Sequence, residues 1–241
     1  MGLNVKKVAM NGGGKKIAPQ EAVDAGTYPN RLVQLIDLGL QPQKAWDGNE
    51  KPPKQEVMLT YELLDEFCVD ENGEELEDKP RWIGETITLN NLDVDLATST
   101  KRYKALDPNL EHDGDFTQLM GTPSMVTITA TPGKGKNAGR TFNNVANVAP
   151  MRAKEAAKAA PLVNDPKVFI VSEPDLDVFR SLPEWIQDKI KSNLEYNGSE
   201  LQRLLDGKTE QKKEPEPQPE PEVNDESEPE VNDDPEDQQP W

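Results

Sequence analysis

Residues 56–63 alternate strictly between two kinds of side chain, which is the period of a β-strand with two unlike faces. One face carries Val57, Leu59, Tyr61 and Leu63, and the other carries Glu56, Met58, Thr60 and Glu62. Further strand signals cover residues 26–40, 82–90, 124–131 and 140–148, with Gly39 placed where a bulge would bend the first strand. A chain with these signals is predicted to build a β-sheet, because the alternation matches the period of a strand and not that of a helix.

Helical signals fall between the third and the fourth strand. Residues 96–106 have helical spacing, and residues 115–120 predict a further helical turn that Gly121 ends. The order of three strands, one helix and two strands is that of an OB-fold, a small five-stranded Greek-key barrel. We therefore predict a mainly β fold with an OB-fold-like barrel over residues 21–150, followed by a helical extension over residues 151–206. A general α+β sheet domain is the alternative interpretation.

The extension is predicted to contain three helices. An Ala- and Lys-rich stretch predicts the first at residues 151–160, and Ser181–Glu184 has the pattern of a capping box that begins the second. The apolar face of the second helix would consist of Leu182, Ile186, Ile190 and Leu194. Trp185 lies on or beside that face, so we expect it to pack there. Ser199 is predicted to begin a last short helix that Gly207 ends.

The last 28 residues, 214–241, contain 12 acidic residues and no basic one. Alternating Pro and Glu removes backbone donors and adds charge repulsion, so we predict a disordered acidic Pro/Glu-rich tail over residues 207–241. The whole chain has a formal net charge of −18, of which −6 remains on residues 1–213. Residues 1–20 are expected to form a flexible basic N-terminus.

The tail ends on an aromatic residue. Asp237, Pro240 and Trp241 bring an acidic side chain, a rigid proline and an indole ring to the end of a long tether. An aromatic ring beside a terminal carboxylate is suited to a pocket on a partner protein. We therefore predict that these three residues bind a partner.

Cysteine and histidine are too rare to build the usual catalytic or metal sites. Cys68 and His112 are the single residues of their types, which excludes an intrachain disulfide and a Cys/His zinc site. We find no nucleotide-binding, nuclease or kinase motif, and so we expect no catalytic residue, metal, cofactor or enzymatic activity. No apolar run approaches the roughly 20 residues of a membrane-spanning helix, and no signal peptide is evident. We expect a cytoplasmic protein without a membrane partner.

Basic and aromatic side chains gather in three segments. Two of them would be the loops that flank the binding groove of an OB-fold. Lysine and arginine contact phosphates and aromatic rings stack on bases, which is what single-strand binding without sequence preference requires. The predicted nucleic-acid-binding residues are Lys44, Trp46, Lys51 and Lys54 between the first two strands, Lys134, Lys136, Arg140 and Phe142 between the last two, and Lys101, Arg102, Tyr103 and Lys104 in the predicted helix.

The acidic tip that ends in Pro240–Trp241 resembles the tail tip of bacterial single-stranded DNA-binding proteins, which ends in Pro-Phe. Gln238 and Gln239 depart from that pattern. Four segments resemble a group of bacteriophage proteins, some of which are similar to phage single-stranded DNA-binding proteins: KPRW (79–82), STKRYKALDP (99–108), NVANVAPM (144–151) and LPEWIQDKI (182–190).

These resemblances imply a protein that coats single-stranded DNA during phage replication and recombination, in the cytoplasm of the bacterial host. Its tail would recruit phage or host replication and repair proteins. The tail would also compete with DNA for the basic groove, because a tethered polyanion has a high local concentration. The sequence leaves open whether the chain forms a homo-oligomer.

The alternative function is that of an acidic protein-interaction module that does not bind nucleic acid. A DNA mimic, an inhibitor or a virion-associated structural protein would each fit the net charge of −6 on residues 1–213. An unrecognised enzyme is a third alternative, for which the sequence supplies no motif.

Overall fold

The computed structural model describes residues 17–43 and 51–207. The strands are β1 (Gly26–Gln43), β2 (Lys51–Val69), β3 (Glu75–Thr88), β4 (Pro123–Pro132), β5 (Thr141–Pro150) and β6 (Lys167–Phe169). The α-helices are α1 (Thr98–Leu106), α2 (Ala153–Ala156), α3 (Leu176–Ser181), α4 (Glu184–Lys191) and α5 (Glu200–Leu205), with 3-10 turns at Phe116–Leu119 and Gly135–Asn137. All described residues belong to one unit.

Strand β1 lies at the centre of the sheet. The strand order is β3-β2-β1-β4-β5 with antiparallel neighbours, and β6 pairs in parallel with Gln34–Ile36 of β1. The first part of β1, from Gly26 to Arg31, pairs with β4, whereas residues from Asn30 to Gln43 pair with β2. The strand serves both neighbours because it is 18 residues long. The prediction of a mainly β fold is confirmed.

Gly39 provides the predicted bulge in β1. The register with β2 shifts between Asp37 and Gly39, and the φ angle of Gly39 is 77°, a backbone conformation that other residues rarely adopt. A Cβ atom at this position would also lie only 2.7 Å from Cγ of Asn193. Glycine is therefore required both for the bend and for the close approach of the Asn193 side chain.

One face of the sheet covers a core to which β1 to β5 all contribute. The buried members include Leu32, Leu59, Tyr61, Ile83, Val126 and Val148 from the strands, and Tyr103 and Leu106 from α1. Val57, Leu59, Tyr61 and Leu63 are all buried in this core, which confirms the inner face predicted for β2.

The opposite face of β1 is covered by the segment from β6 to α5. Ile36 and Leu38 of β1 pack there with Phe169, Phe179, Leu182, Ile186, Ile190 and Leu201. The carboxylate of Glu62, in β2, is fully buried and accepts hydrogen bonds from Val163 N and Asn164 Nδ2, both at 2.7 Å. Thr60 and Glu62 are consequently buried as well, because the sheet is covered on both sides at this point.

Two helix predictions in the extension are wrong. Only Ala153–Ala156 is helical within the predicted helix 151–160; this turn buries no residue and has no side-chain cap, so little stabilises a longer helix. The predicted capping box fails because Ser181 is the last residue of α3, where its Oγ donates to Val178 O at 2.7 Å. Helix α4 begins instead at Glu184, directly after Pro183.

The predicted apolar face of α4 is confirmed at Leu182, Ile186 and Ile190, which are buried. Leu194 is 54% exposed because α4 ends at Lys191, and Trp185 is 60% exposed, so the prediction that Trp185 packs on the core is wrong. Ser199 does cap α5, since its Oγ accepts from Gln202 N at 3.2 Å. Within residues 17–43 and 51–207, no helix combines the length and the apolar character needed to cross a membrane.

Candidate nucleic-acid interface

The outer surface of β4 and β5 is an uncharged polar face. The inward residues of β4 are Ser124, Val126 and Ile128, which are buried, so the alternate residues point outward. We call this surface the β4–β5 face; it consists of Met125, Thr127, Thr129, Thr131, Phe142, Asn144 and Asn147, which are partly or fully exposed.

Hydrogen bonds across the strands order part of this face. Asn144 Nδ2 donates to Thr131 Oγ1 at 3.1 Å, and the hydroxyl groups of Thr27 and Thr127 lie 3.0 Å apart. The face therefore presents amide and hydroxyl groups in fixed positions, without any charged side chain of its own.

Charge is strongly segregated along the chain around this face. Between Phe116 and Lys154 there is no acidic residue, and the basic residues are Lys134, Lys136, Arg140, Arg152 and Lys154. The first three lie in the hairpin between β4 and β5, and the last two follow β5. The cations therefore stand at both ends of the β4–β5 face.

The β4–β5 hairpin has a fixed shape. Gly133 N donates to Arg140 O at 2.7 Å, and a 3-10 turn closes the loop. A Cβ atom on Gly133 would lie 2.2 Å from the carbonyl oxygen of Asn137 and 2.9 Å from the ring of Phe142. Lys134, Lys136 and Arg140 are exposed, and none forms an ion pair with a carboxylate of the described residues.

A cleft of about 740 Å³ runs beside this hairpin. Arg140 and Phe142 line one side, and residues 19–24 line the other, including the acidic residues Glu21 and Asp24. Because Glu21 and Asp24 would repel an anion, the cleft is less favourable for an anionic ligand than the β4–β5 face.

Lys51 and Lys54, predicted in the loop between the first two strands, lie in β2 and away from the β4–β5 hairpin along the strands. Lys51 is opposite Gln43 at the last residues of β1, whereas the β4–β5 hairpin follows the pairing of Gly26 with Ile128 at the other end. Lys51 and Lys54 are exposed, and Lys54 Nζ donates to Asn90 Oδ1 at 2.9 Å. Lys44 and Trp46 lie outside the described residues.

The predicted cluster in α1 is only half exposed, which corrects part of the sequence-based site. Lys101 and Lys104 are exposed, and Lys104 forms an ion pair with Asp95 at 2.7 Å. This hydrogen-bonded pair lowers the pKa of Asp95.

Arg102 and Tyr103 are buried, so neither can contact a phosphate or stack on a base in this structure. Arg102 binds the Glu85 carboxylate with both Nε and Nη2, at 2.7 and 3.0 Å. The Tyr103 hydroxyl donates to Asp107 Oδ2 at 3.1 Å, and burial raises the pKa of this phenol. Both residues lie on the inner side of α1, which packs against the rest of the domain.

The outer face of β1 and β2, unlike the β4–β5 face, is covered by the extension. Exposed aromatic rings among the described residues are Trp82 at 41%, Phe142 at 43% and Trp185 at 60%. Of these, only Phe142 had been predicted as a site residue. Trp82 Nε1 donates to Glu62 Oε2 at 3.1 Å, so this indole binds the same carboxylate that holds residues 163 and 164 of the extension.

Sequence reasoning missed Arg152, Lys154 and the Thr/Asn face. The absence of acidic residues from 116 to 154 is a signal that would have indicated them. Asp237, Pro240 and Trp241 lie outside the described residues. No cluster of His, Cys, Asp and Glu suited to a metal ion occurs within the described part of the chain.

Comparisons with protein-family models, with curated protein sequences and with solved structures each gave no match.

Proposed function

We propose that this protein binds single-stranded DNA, without sequence preference, on its β4–β5 face. The observation that carries this proposal is the charge segregation: residues 116–154 contain five cations and no acidic residue in a chain of net charge −18. A segment that carries five cations and no acidic residue, in so acidic a chain, favours a polyanionic ligand.

The chemistry of the β4–β5 face suits single-stranded DNA better than double-stranded DNA. Lys134, Lys136 and Arg140 would neutralise phosphates, and the exposed ring of Phe142 would stack on a base. The threonine and asparagine side chains offer hydrogen bonds to any base or sugar. Such contacts do not depend on the base sequence of the DNA, as is required of a protein that coats single strands.

We further propose that the sheet forms an OB-fold-type barrel. The strand order β3-β2-β1-β4-β5 supports this, together with the position of α1 between β3 and β4. Cα atoms of β3 and β5, the two edges of the sheet, approach within 8 Å, and α1 contacts both strands. Among the described residues, β3 and β5 form no ladder, so the barrel would be closed by packing at this seam.

In the same proposal, the protein acts in phage replication or recombination, and its acidic tail recruits replication or repair proteins through Asp237, Pro240 and Trp241. The tail would also compete with DNA. Deleting residues 214–241 is expected to tighten oligo-dT binding at low salt, and an unchanged affinity across a salt series would contradict the competition.

Removal of the hairpin cations tests the binding proposal. The variant with Lys134, Lys136 and Arg140 all changed to Ala should bind a labelled oligo-dT more weakly. The slope of log K against log salt should become shallower by about 2, since each phosphate contact contributes about 0.7 on single strands. Fluorescence anisotropy at several salt concentrations measures both quantities.

The matched control removes the same charge elsewhere. Lys79, Arg180 and Lys191 are exposed and lie outside the β4–β5 face, so changing all three to Ala should leave the slope nearly unchanged. If the two triple variants lose oligo-dT affinity equally, only the total charge of the protein matters and the proposed face is wrong.

A specific observation also favours the acidic interaction module as the second candidate. Residues 65–78, at the end of the β2–β3 hairpin, contain eight acidic residues and no basic one. A surface of this kind repels DNA and suits a basic partner protein. Absence of oligo-dT binding by the full chain and by the chain without residues 214–241 would favour this function.

A further inference from the structure

An apolar pocket of about 560 Å³ lies at the end of the β4–β5 face opposite the basic hairpin. Its floor is formed by Pro29 of β1, Leu64 of β2, Met125 of β4 and Met151, all of which are partly exposed. The segment around α2 supplies the remaining wall, up to Ala160. Met125 belongs both to the pocket and to the β4–β5 face, so the two surfaces are continuous.

Arg31 fixes the wall of this pocket. Its guanidinium group donates three hydrogen bonds to backbone carbonyl groups: Nε to Ala160 O at 2.7 Å, Nη1 to Gly121 O at 2.6 Å and Nη2 to Ala159 O at 3.1 Å. The bonds to Ala159 and Ala160 hold the end of the α2 segment against β1. The pocket is therefore formed before any ligand binds, which reduces the entropic cost of binding.

The rim of the pocket carries more positive than negative charge. Lys154 and Lys158 are exposed on it, together with one acidic residue, Glu155. Arg152 lies two residues before Lys154 and is also exposed. An apolar floor beneath a basic rim suits a ligand with a flat, weakly polar ring and an attached anion.

We propose that this pocket is a nucleobase subsite of the single-strand path, which rests on the proposed function. A base would lie against the thioether groups of Met125 and Met151, because methionine sulfur makes favourable contacts with aromatic rings. The phosphates on either side of that base would contact Lys154 and Lys158. Single-stranded DNA fits the pocket better than a duplex, since only an unpaired base can leave its stack to enter it.

The geometry also sets a length for the bound strand. Met125 and Pro132 are seven residues apart in β4, which corresponds to about 23 Å at about 3.3 Å per residue. A single strand at about 3.4 Å per stacked nucleotide covers this distance with roughly seven nucleotides. Oligo-dT of about nine nucleotides or longer should therefore reach both the pocket and the hairpin cations, whereas a four-nucleotide strand should not.

The test compares oligo-dT of twelve nucleotides with an abasic oligomer of the same length, using the full chain at low salt. The intact protein should bind oligo-dT at least about fivefold more tightly, the lower limit for losing one stacked base. Changing both Met125 and Met151 to Ala should reduce this ratio, whereas Met125→Leu with Met151→Leu should restore most of it. The Lys134, Lys136 and Arg140 variant should weaken the binding of both oligomers.

Three outcomes would overturn the subsite. If the protein binds oligo-dT but the double Ala variant keeps the same ratio of oligo-dT to abasic affinity, the pocket is refuted and the proposed function is unaffected. An equal loss in the Leu variant, together with a lower urea midpoint in both variants, would show that the methionines act on the fold and not on the base. If the full chain and the chain without residues 214–241 both fail to bind oligo-dT, the proposed function and the subsite fail together. Urea unfolding of each variant checks that the fold is retained.

Discussion

Glu62 shows what a single residue does in this fold. Its fully buried carboxylate accepts hydrogen bonds from the backbone and the side chain of the segment 163–164 and from the Trp82 indole. The sequence indicated only a polar residue on the outer side of a strand. The anchor could not be predicted, because its donors are 20 and about 100 positions away and come together only in the folded chain.

Glu62→Ala should therefore destabilise the protein. The change removes a buried carboxylate and leaves three partly buried donors without their acceptor, so we expect a loss of about 2 kcal/mol in the free energy of unfolding. Urea denaturation measures the loss. Glu77→Ala, which removes an exposed carboxylate from β3, is the control and should change stability by less than about 0.5 kcal/mol. A Glu62→Ala variant as stable as the control would refute the anchoring role.

At the scale of elements, sequence patterns identified β1 to β5, α1 and the capped helix α5, but not β6 or α3. The alternation in β2 and the glycine bulge in β1 are confirmed, because both depend on local chemistry. Strand β6 has three residues and α3 has six, so neither is long enough to show a period. The helix around Ala153 was overestimated for a different reason: high helix propensity does not stabilise a segment that buries nothing.

The bulge gives a prediction about how β1 meets the extension. Gly39 and Gly73 both have φ angles in the left-handed region, 77° and 82°, but only Gly39 has a close neighbour, the Asn193 side chain. Gly73→Ala should cost about 1 to 2 kcal/mol from backbone strain alone. Gly39→Ala should cost clearly more, because Asn193 must also move. Urea unfolding of both variants measures the difference, and equal losses would contradict a tight contact at the bulge.

For the whole molecule, the distribution of charge is more informative than the total. The net charge of −18 combines an acidic tail sequence, an acid-rich hairpin at residues 65–78 and a segment, 116–154, without a single acidic residue. The sequence pattern predicted the cations of the β4–β5 hairpin as site residues. It could not show that Arg102 and Tyr103 are buried, because Lys101 and Lys104, their neighbours in α1, are exposed.

The central claim is that single-stranded DNA lies on the β4–β5 face, and photo-crosslinking tests it most directly. An oligonucleotide containing 5-iododeoxyuridine is irradiated with the full chain, and the crosslinked peptides are identified by mass spectrometry. We predict a crosslink at Phe142, whose exposed ring is the aromatic group of this face. Crosslinks at Trp82 or Trp185 without one at Phe142 would place the DNA on another surface and contradict the account.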